Sequence, residues 1–470
     1  MLFNSLSFLL FFPIVSILYW VLPHKFRNSM LLIASYYFYM NWEPIYAILI
    51  AITTITTWFC GNMLEKSSEH KKIYLSTVII LNLLILFIYK YLNFVTESVF
   101  WGLEYLGIRM DVPHFDLLLP VGISFYTFQA IGYIIDVYRG TINAEKNLAT
   151  YALFVSFFPQ LVAGPIERAK NLLPQFHTKH TFNGDIFIEG IKLMVWGYFM
   201  KLGIAENVAP YVDAVYNNMV QHNGTSILFA TFLFTFQIFC DFGGYSLIAI
   251  GAAKCMGFDL MQNFNRPYLA RSMRDFWRRW HISLSSWFAD YVYIPMGGSR
   301  CSAIKHQRNL FLTMFISGIW HGANWTFILW GVYHGILQVL NAIKRKISWL
   351  DYGEGNIFVK IGEVIFTFLL AMFGWIFFRA NNVNDAFMAF EKIFTQPGLL
   401  YNGDGKPTTI MFLGLIALLM FKELKDELKL NIHLLHNKNY IISSVVTALM
   451  IILLLMCAKF EGGQFIYFQF

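Results

Sequence analysis

The stretch FLTMFISGIWHGANWTFILWGVYHG, residues 311–335, is almost wholly apolar, yet it carries His321 directly after Trp320. Asn324 follows closely, and His334 stands near the end of the stretch. An ionisable side chain is costly at membrane depth, so such a residue is a functional candidate by default. The alternative is a core histidine that donates one hydrogen bond, which is the commoner case for a lone histidine on an apolar face. His321 is therefore a catalytic candidate, and further polar residues elsewhere in the chain decide between the two interpretations.

The composition indicates a polytopic membrane protein. Of the 470 residues, 57% are hydrophobic and 13% are charged, and the mean hydropathy is +0.53. These values depart far from the balance of soluble domains. The net charge of +7 requires no nucleic acid as a partner, because Lys and Arg lie in short loops between apolar segments. No biased linker and no internal repeat divides the sequence, which predicts a single domain over residues 1–470.

Cysteine and histidine spacing argues against disulfides and metal sites. The five cysteines form no CxxC pair, and most stand in apolar surroundings, so we expect small core residues. No acidic or cysteine ligands recur at close spacing with the histidines, and the sequence therefore predicts no metal.

Apolar runs separated by basic loops predict about ten crossing helices in an all-α protein. The runs are residues 7–22, 45–60, 74–94, 117–135, 186–204, 227–253, 310–321 with a returning limb, 357–378, 411–421 and 441–456. The first run has its charges after it and no cleavage site, which indicates a retained span rather than a secretory signal. Residues 151–163 are too few for a crossing and are predicted to be re-entrant.

The most cationic part of the chain contains RSMRDFWRRWHISLSSWF, residues 271–288. Its arginines recur at helical spacing on one face, while Trp277 and His281 share another, which predicts one interfacial amphipathic helix. Binding of anionic lipid headgroups would explain the arginines but not the histidine. Asp275 and Arg278 are candidate substrate-binding residues in this segment.

Two further observations concern the depth of polar residues. Asp241 lies inside an apolar run and is either a substrate or ion contact or a helix-packing ligand bonded to a hydroxyl; both interpretations stay open. A helical limb over 310–321 would rise about 18 Å, which places His321 deep in the membrane at a Gly-containing break. His281 would lie nearer the cytoplasmic interface. Two histidines would then line one route from the cytoplasm to the middle of the membrane.

A set of motifs in this order resembles the membrane-bound O-acyltransferases, in particular the bacterial alginate O-acetyltransferase and teichoic-acid D-alanyl transferase branch. The motifs are LPVGISFYTFQ, QLVAGPIER, QIFCDFGGYSLIAIG, DFWRRWHISLSSWF, YIPMGGSR and SGIWHGANWTFILWGVYHG. The resemblance covers nearly the whole chain, and the wording of its motifs is more similar to the alginate type. The resemblance implies that His321 is catalytic, that His281 is its partner, and that the helices surround a central funnel or tunnel.

The resemblance also implies an activity. An acyl group, expected to be acetyl, would pass from a cytoplasmic thioester such as acetyl-CoA or an acyl-carrier protein to hydroxyls of an extracytoplasmic polysaccharide. An extracytoplasmic acyltransferase partner would complete the transfer if the chain does not do so directly. The chain would lie among lipids of the bacterial cytoplasmic (inner) membrane, with no bound cofactor.

This chemistry needs a base and a donor to the oxyanion. The base is assigned to His321, and the candidates for orienting the substrate or donating to the oxyanion are His281, Trp320 and Asn324. A transporter or channel subunit of a polysaccharide export complex is the main alternative, with Asp241 and His321 lining a path for an anionic solute. A purely structural subunit would leave His321 without a task.

Overall fold

The computed structural model describes residues 1–66, 69–108, 110–115, 117–162, 164–344, 356–403, 405–430 and 440–459. Within these ranges the regular structure is helical, and no strand is present. The predicted all-α fold class is therefore confirmed. Ala163, the end of the predicted re-entrant segment, lies outside the described residues.

The helices before residue 184 include five of 16 residues or more and several short ones. They are α1 (Leu6–Val21), α2 (His24–Met40), α3 (Ala47–Lys66), α4 (Lys71–Lys90), α5 (Leu92–Tyr105), α6 (Ile123–Tyr138), α7 (Leu148–Ser156), α8 (Phe158–Leu161) and α9 (Ala169–His177). The basic residues after the first apolar run form the first turn of α2 rather than a loop. Pro23 directly precedes that turn, where a missing N–H costs the helix nothing.

The helices from residue 184 onward include two π-helical turns, Phe199–Ala205 and Ala289–Tyr293. They are α10 (Gly184–Tyr198), α11 (Glu206–Tyr216), α12 (Gly224–Cys255), α13 (Met273–Arg279), α14 (Ile282–Phe288), α15 (Ala303–His321), α16 (Trp325–Lys344), α17 (Ile357–Arg379), α18 (Val383–Thr395), α19 (Lys406–Glu427) and α20 (Tyr440–Cys457). The predicted limb 310–321 thus begins earlier, at Ala303, and the predicted run 186–204 continues through a π-helical turn into α11.

Five helices in the described part of the chain are long and apolar enough to cross a membrane. They are Pro44–Lys66, Lys71–Lys90, Gly224–Cys255, Trp325–Lys344 and Ile357–Arg379. Leu6–Val21 and Ile441–Cys457 are shorter apolar helices. Each of these seven falls on a predicted span, while the total of about ten crossings and the central funnel stay predictions.

The structure divides into two compact units. The first unit comprises residues 1–191 and 249–261, and the second comprises residues 192–248 and 262–470. In the first unit α3 packs against α6, and α2 packs against α7. In the second unit the antiparallel pair α15 and α16 forms the most extensive contact between helices. The organisation of residues 1–470 as a single domain stays a prediction.

The predicted re-entrant segment is broken into α7 and α8 at Phe157. The break is fully buried, and the side chain of Gln160 reaches back across it, because its Nε2 donates to the carbonyl oxygen of Phe154 at 2.9 Å. Gln129 donates to the same oxygen at 2.6 Å. Irregular backbone at membrane depth needs hydrogen-bond partners of this kind from within the protein. Re-entry into the membrane itself stays a prediction.

The arginine-rich segment 271–288 is two helices, and the prediction of one continuous amphipathic helix is wrong. The first helix, α13, is followed by Trp280 in extended conformation and by His281 in the left-handed region, with φ 43° and ψ 56°. A non-glycine residue seldom adopts this conformation. Because the chain turns at His281, the side chains of Trp277 and His281 do not share a helix face.

Long-range hydrogen bonds impose the turn at His281. The backbone N–H of Ile282 donates to the carbonyl oxygen of Asn263 at 2.9 Å, and the Ser283 hydroxyl donates to Asn263 Oδ1 at 2.7 Å. The amide nitrogen of Asn263 in turn donates to Ser246 Oγ on α12 at 3.0 Å. These bonds fix the start of α14 against α12, which a helical continuation of α13 would not allow.

Candidate active site

The tip of the α15 and α16 pair holds His321. It is the last residue of α15, Gly322 follows in extended conformation, and α16 begins at Trp325. Asn324 Oδ1 accepts a hydrogen bond from the backbone N–H of Thr326 at 3.0 Å, which caps the new helix. The predicted Gly-containing break is therefore present at this point of the chain.

Two glycines set the distance between α15 and α16. A Cβ added to Gly318 would lie 2.5 Å from the carbonyl oxygen of Phe327, and one added to Gly331 would lie 2.8 Å from that of Met314. These obstacles are backbone atoms, which cannot move aside. Such close approach of backbones is what small residues permit in membrane helices, and it fixes His321 relative to α16.

His321 lies in a box of aromatic rings and is 3% exposed. Its ring centroid lies 5.1 Å from that of Trp320, 4.8 Å from that of Trp330 and 5.4 Å from that of Phe378. The three rings come from α15, α16 and α17, and each meets the imidazole at a steep angle. Aromatic walls of this kind exclude water and hold the imidazole in one orientation.

His281 also lies near the ring of Trp320. Its ring centroid is 6.2 Å from that of Trp320 and 4.6 Å from that of Phe242. His281 is 1% exposed and lies between α13 and α14, outside the five apolar spans. Burial lowers the pKa of His281 to about 3, so its imidazole is neutral. The structure thus brings together three of the predicted site residues, His281, Trp320 and His321.

Asn324 faces a polar network rather than the imidazole of His321. Its Nδ2 donates to the carbonyl oxygen of Asn381 at 3.2 Å. The side chain of Asn381 donates to Asn217 Oδ1 at 3.4 Å, and Arg379 donates to the same oxygen at 3.3 Å and to Asp213 Oδ1 at 2.6 Å. This network joins the ends of α11 and α17 to the start of α16. The sequence shows it only as polar residues at the ends of apolar runs.

Asp241 lies in a buried group of three charges. Lys201 Nζ pairs with the Asp241 carboxylate and with Glu206 Oε1, the latter at 2.5 Å. The side chains of these residues are 6% exposed or less. Lys201 reaches both carboxylates from the π-helical turn between α10 and α11. This ion pair joins α12 to that turn. The helix-packing interpretation predicted a hydroxyl as the partner of Asp241, whereas the structure shows an ammonium. A role of Asp241 in substrate binding stays a prediction.

Asp275 and Arg278 lie in α13 but face different surroundings. Asp275 Oδ1 accepts from Arg279 Nε at 3.0 Å, and its Oδ2 accepts from the backbone N–H of Arg271 at 3.1 Å. Ser272 Oγ accepts from the Asp275 backbone N–H, which completes the start of the helix. Arg278 instead lines a cavity.

This cavity has a volume of about 200 Å³ and lies among α13, α14, α15 and α16. Its wall is mainly apolar, and the polar side chains include Arg274, Arg278 and Gln338. Ser317 also lines it and precedes His321 by one helical turn on α15. The cavity therefore extends along α15 toward the catalytic candidate.

Two side chains near His321 were given no role from the sequence, although their spacing could have revealed them. Trp330 and His334 are fully buried on α16, and their ring centroids are 4.8 Å apart. They recur at four-residue spacing with the cavity-lining Gln338, which places all three on one helix face. That face is directed toward the cavity and His321.

Comparison with known proteins gives a consistent result. The sequence model of the family described as MBOAT, membrane-bound O-acyltransferase, matches residues 36–380. The chain is 40% identical over 401 residues to the probable alginate O-acetylase AlgI of Azotobacter vinelandii, which covers 84% of this chain and 78% of the relative. It is 40% identical over 407 residues to the probable alginate O-acetylase AlgI of Pseudomonas aeruginosa, covering 84% and 75%. It is 32% identical over 422 residues to a peptidoglycan O-acetyltransferase of Helicobacter pylori, covering 82% and 78%.

Proposed function

Because the chain belongs to the membrane-bound O-acyltransferase family, we propose that it moves an acetyl group from a cytoplasmic thioester toward hydroxyls of an extracytoplasmic polysaccharide. The family is one of multi-pass membrane enzymes, and the O-acetylase and O-acetyltransferase relatives identify the chain as an O-acetyltransferase. The resemblance stated from the motifs is thereby confirmed. The donor, the direction of transfer and the site residues belong to the proposal.

The observation that supports the proposal best is the position of His321 at a helix break, one turn along α15 from the cavity-lining Ser317. In the proposed reaction His321 takes the proton of the acceptor hydroxyl as that oxygen bonds to the thioester carbonyl carbon. The tetrahedral intermediate then collapses, the carbon–sulfur bond breaks, and the leaving thiolate receives the proton from His321. His281 and Trp320 orient the reacting groups in this scheme.

The cavity supports a thioester as the donor. Its apolar wall suits a flexible arm, and Arg274 and Arg278 supply positive charge for an anionic carrier. Acetyl-CoA and an acylated carrier protein share these features: a phosphate group, a long arm and a terminal thioester. We propose that such a donor enters from the cytoplasmic side of a bacterial inner membrane. The basic segments of the chain are expected to face that side.

The polar network around Asn324, three residues after His321, supports a hydroxyl-rich acceptor. Amide and guanidinium groups, as in Asn217, Asn381 and Arg379, are hydrogen-bonding partners for sugar hydroxyls. The acceptor in this proposal is a polysaccharide, or a partner protein that carries the acetyl group onward. Alginate, named in two relatives, and peptidoglycan, named in a third, are both polymers of this kind.

Purified protein in lipid nanodiscs with radiolabelled acetyl-CoA or an acetylated carrier protein tests the proposal. Wild type should transfer label to a hydroxyl acceptor, and His321→Ala should lose roughly a hundredfold or more of the rate, the usual contribution of a general base. His306→Ala, on the same helix but half-exposed, is the control and should retain the rate. Normal activity in His321→Ala would refute the mechanism.

The transporter alternative rests on the buried charges of Lys201, Glu206 and Asp241. Buried charged residues of this kind can line a path for a solute or an ion. Liposomes loaded with a labelled anionic sugar distinguish the two functions. Solute flux without acyl transfer would favour the transporter, whereas acyl transfer without flux supports the enzyme.

A further inference from the structure

Three buried side chains connect the cavity to His321: Trp277, Trp330 and His334, here called the indole–imidazole cluster. The ring centroids of the two tryptophans lie 5.5 Å apart. The ring centroid of His334 lies 5.1 Å from that of Trp277 and 4.8 Å from that of Trp330. Trp277 lines the cavity, and Trp330 contacts His321 at 4.8 Å. A molecule that reached from the cavity to His321 would pass this cluster.

The cluster holds polar atoms without a hydrogen-bond partner in the part of the chain that the structure describes. Nε1 of Trp277, Nε1 of Trp330 and both ring nitrogens of His334 have no hydrogen-bond partner among the residues that the structure describes. Trp277 is 9% exposed, and the other two side chains are fully buried. Native proteins retain few such groups, and a concentration of them calls for an explanation. A ligand that supplies the missing partners is one.

The chemistry of the four nitrogens indicates what the ligand offers. An indole only donates, and a neutral imidazole donates once and accepts once, so the cluster presents three donors and one acceptor. The complementary molecule is rich in acceptor oxygens and has an N–H for the remaining nitrogen. An amide group has this combination, because its carbonyl oxygen accepts and its nitrogen donates. A sugar hydroxyl lacks this bias toward acceptors.

Space around His334 is kept open by a glycine. A Cβ added to Gly374 on α17 would lie 2.7 Å from His334 Nε2. Any side chain at that position would press on the ring. The imidazole is therefore held among its aromatic neighbours, with Nε2 next to the space that the missing Cβ of Gly374 leaves.

We propose that the indole–imidazole cluster binds amide groups in the arm of the thioester donor and so aligns the thioester with His321. This inference rests on the proposed function, since it requires a thioester in the cavity. It assigns Trp277, Trp330 and His334 as donor-binding residues. It also predicts selectivity: a donor that carries amides in its arm should be used better than an acetyl thioester without them.

Two small donors separate this role from a merely structural one. The acetyl thioester of N-acetylcysteamine carries an amide, and ethyl thioacetate carries none. Trp330→Phe keeps an aromatic ring and removes the N–H. It should lower kcat/KM for the amide donor about tenfold more than kcat/KM for ethyl thioacetate, and this difference is the effect of one lost hydrogen bond. Trp101→Phe, at a position 70% exposed, should alter neither value.

Trp277→Phe, at the edge of the cavity, should show the same selective loss and serves as the second variant if Trp330→Phe does not fold. An equal loss for both donors, or no loss for either, would overturn the inference while leaving the enzyme assignment intact. Failure of the wild type to transfer acetyl from any thioester would instead refute the proposed function.

Discussion

At the scale of single residues, Trp320 is the link between the two histidines, because its ring contacts both. We predict that His281→Ala lowers kcat less than His321→Ala. The reason is that the base remains, still enclosed by Trp320, Trp330 and Phe378. The measurement is kcat for each single variant and for the double variant in nanodiscs. Equal losses in all three would show that the histidines act as one unit.

The sequence could single out His321 and His281 because an ionisable group in an apolar motif is conspicuous. It could not reveal the unpaired nitrogens of His334 and Trp330, since hydrogen-bond satisfaction depends on which groups from other helices lie nearby. The pairing of Asp241 with Lys201 was hidden for the same reason, as the two belong to different helical elements.

At the scale of helices, the contact of α15 with α16 depends on Gly318. We predict that Gly318→Ala destabilises the protein by about 1–3 kcal/mol, because the new methyl group meets the Phe327 carbonyl oxygen and the Gly331 Cα, and the helices must separate. Transfer activity should fall as well, since His321 moves with α15. Thermal unfolding in detergent and the acetyl-transfer rate are the two measurements.

Gly362→Ala on α17 is the matched control for this variant. A Cβ there has no atom within 4 Å, and alanine favours a helix over glycine by up to about 1 kcal/mol. Its stability should be unchanged or higher, with full activity. A Gly318→Ala protein as stable and active as Gly362→Ala would contradict the assigned role of the close contact.

The buried charges at the π-helical turn support a second prediction about elements. Lys201→Met should destabilise the protein by about 3–5 kcal/mol, because it leaves the Glu206 and Asp241 carboxylates buried without their counter-charge. Lys146→Met is the control: its ion pair with Glu65 involves a lysine side chain that is 62% exposed, and such pairs contribute about 1 kcal/mol or less. Similar losses of unfolding temperature in the two variants would argue against a structural role for the triad.

Helix existence could be predicted from the sequence better than helix interruptions. Long apolar runs predict α3, α4, α12 and α17, since burial in lipid alone selects them. The break at His281 depends instead on Asn263, whose bonds to Ile282 and Ser283 form only in the folded chain. The prediction of one amphipathic helix is therefore wrong at His281, where these long-range hydrogen bonds turn the chain.

At the scale of the whole molecule, the direction of transfer depends on which side each loop faces. Lys305, before the apolar part of α15, and Gln221, before α12, are both exposed and are predicted to face the cytoplasm and the outside, respectively. A cysteine at Lys305 should react with an impermeant maleimide only from the cytoplasmic side, and one at Gln221 only from outside.

The labelling needs a background without the native Cys301 and Cys457, which are partly accessible; the other three cysteines are buried. Untreated and permeabilised cells provide the comparison. Reaction of both positions from the same side would contradict the topology and the transmembrane route of the acetyl group. The class of the molecule was evident from composition, whereas the arrangement of its spans around the site depends on contacts such as those of α15 with α16.

The Lys201, Glu206 and Asp241 triad also constrains biogenesis. The ribosome delivers Lys201 and Glu206 before α12, the span that carries Asp241. An unpaired aspartate or lysine at the centre of an inserting helix costs about 2.5–3.5 kcal/mol. We therefore expect the earlier segment to stay close by until α12 arrives, so that Asp241 enters the bilayer beside the ammonium of Lys201. A fragment starting at Gly224 would expose Asp241 to lipid without the counter-charge of Lys201.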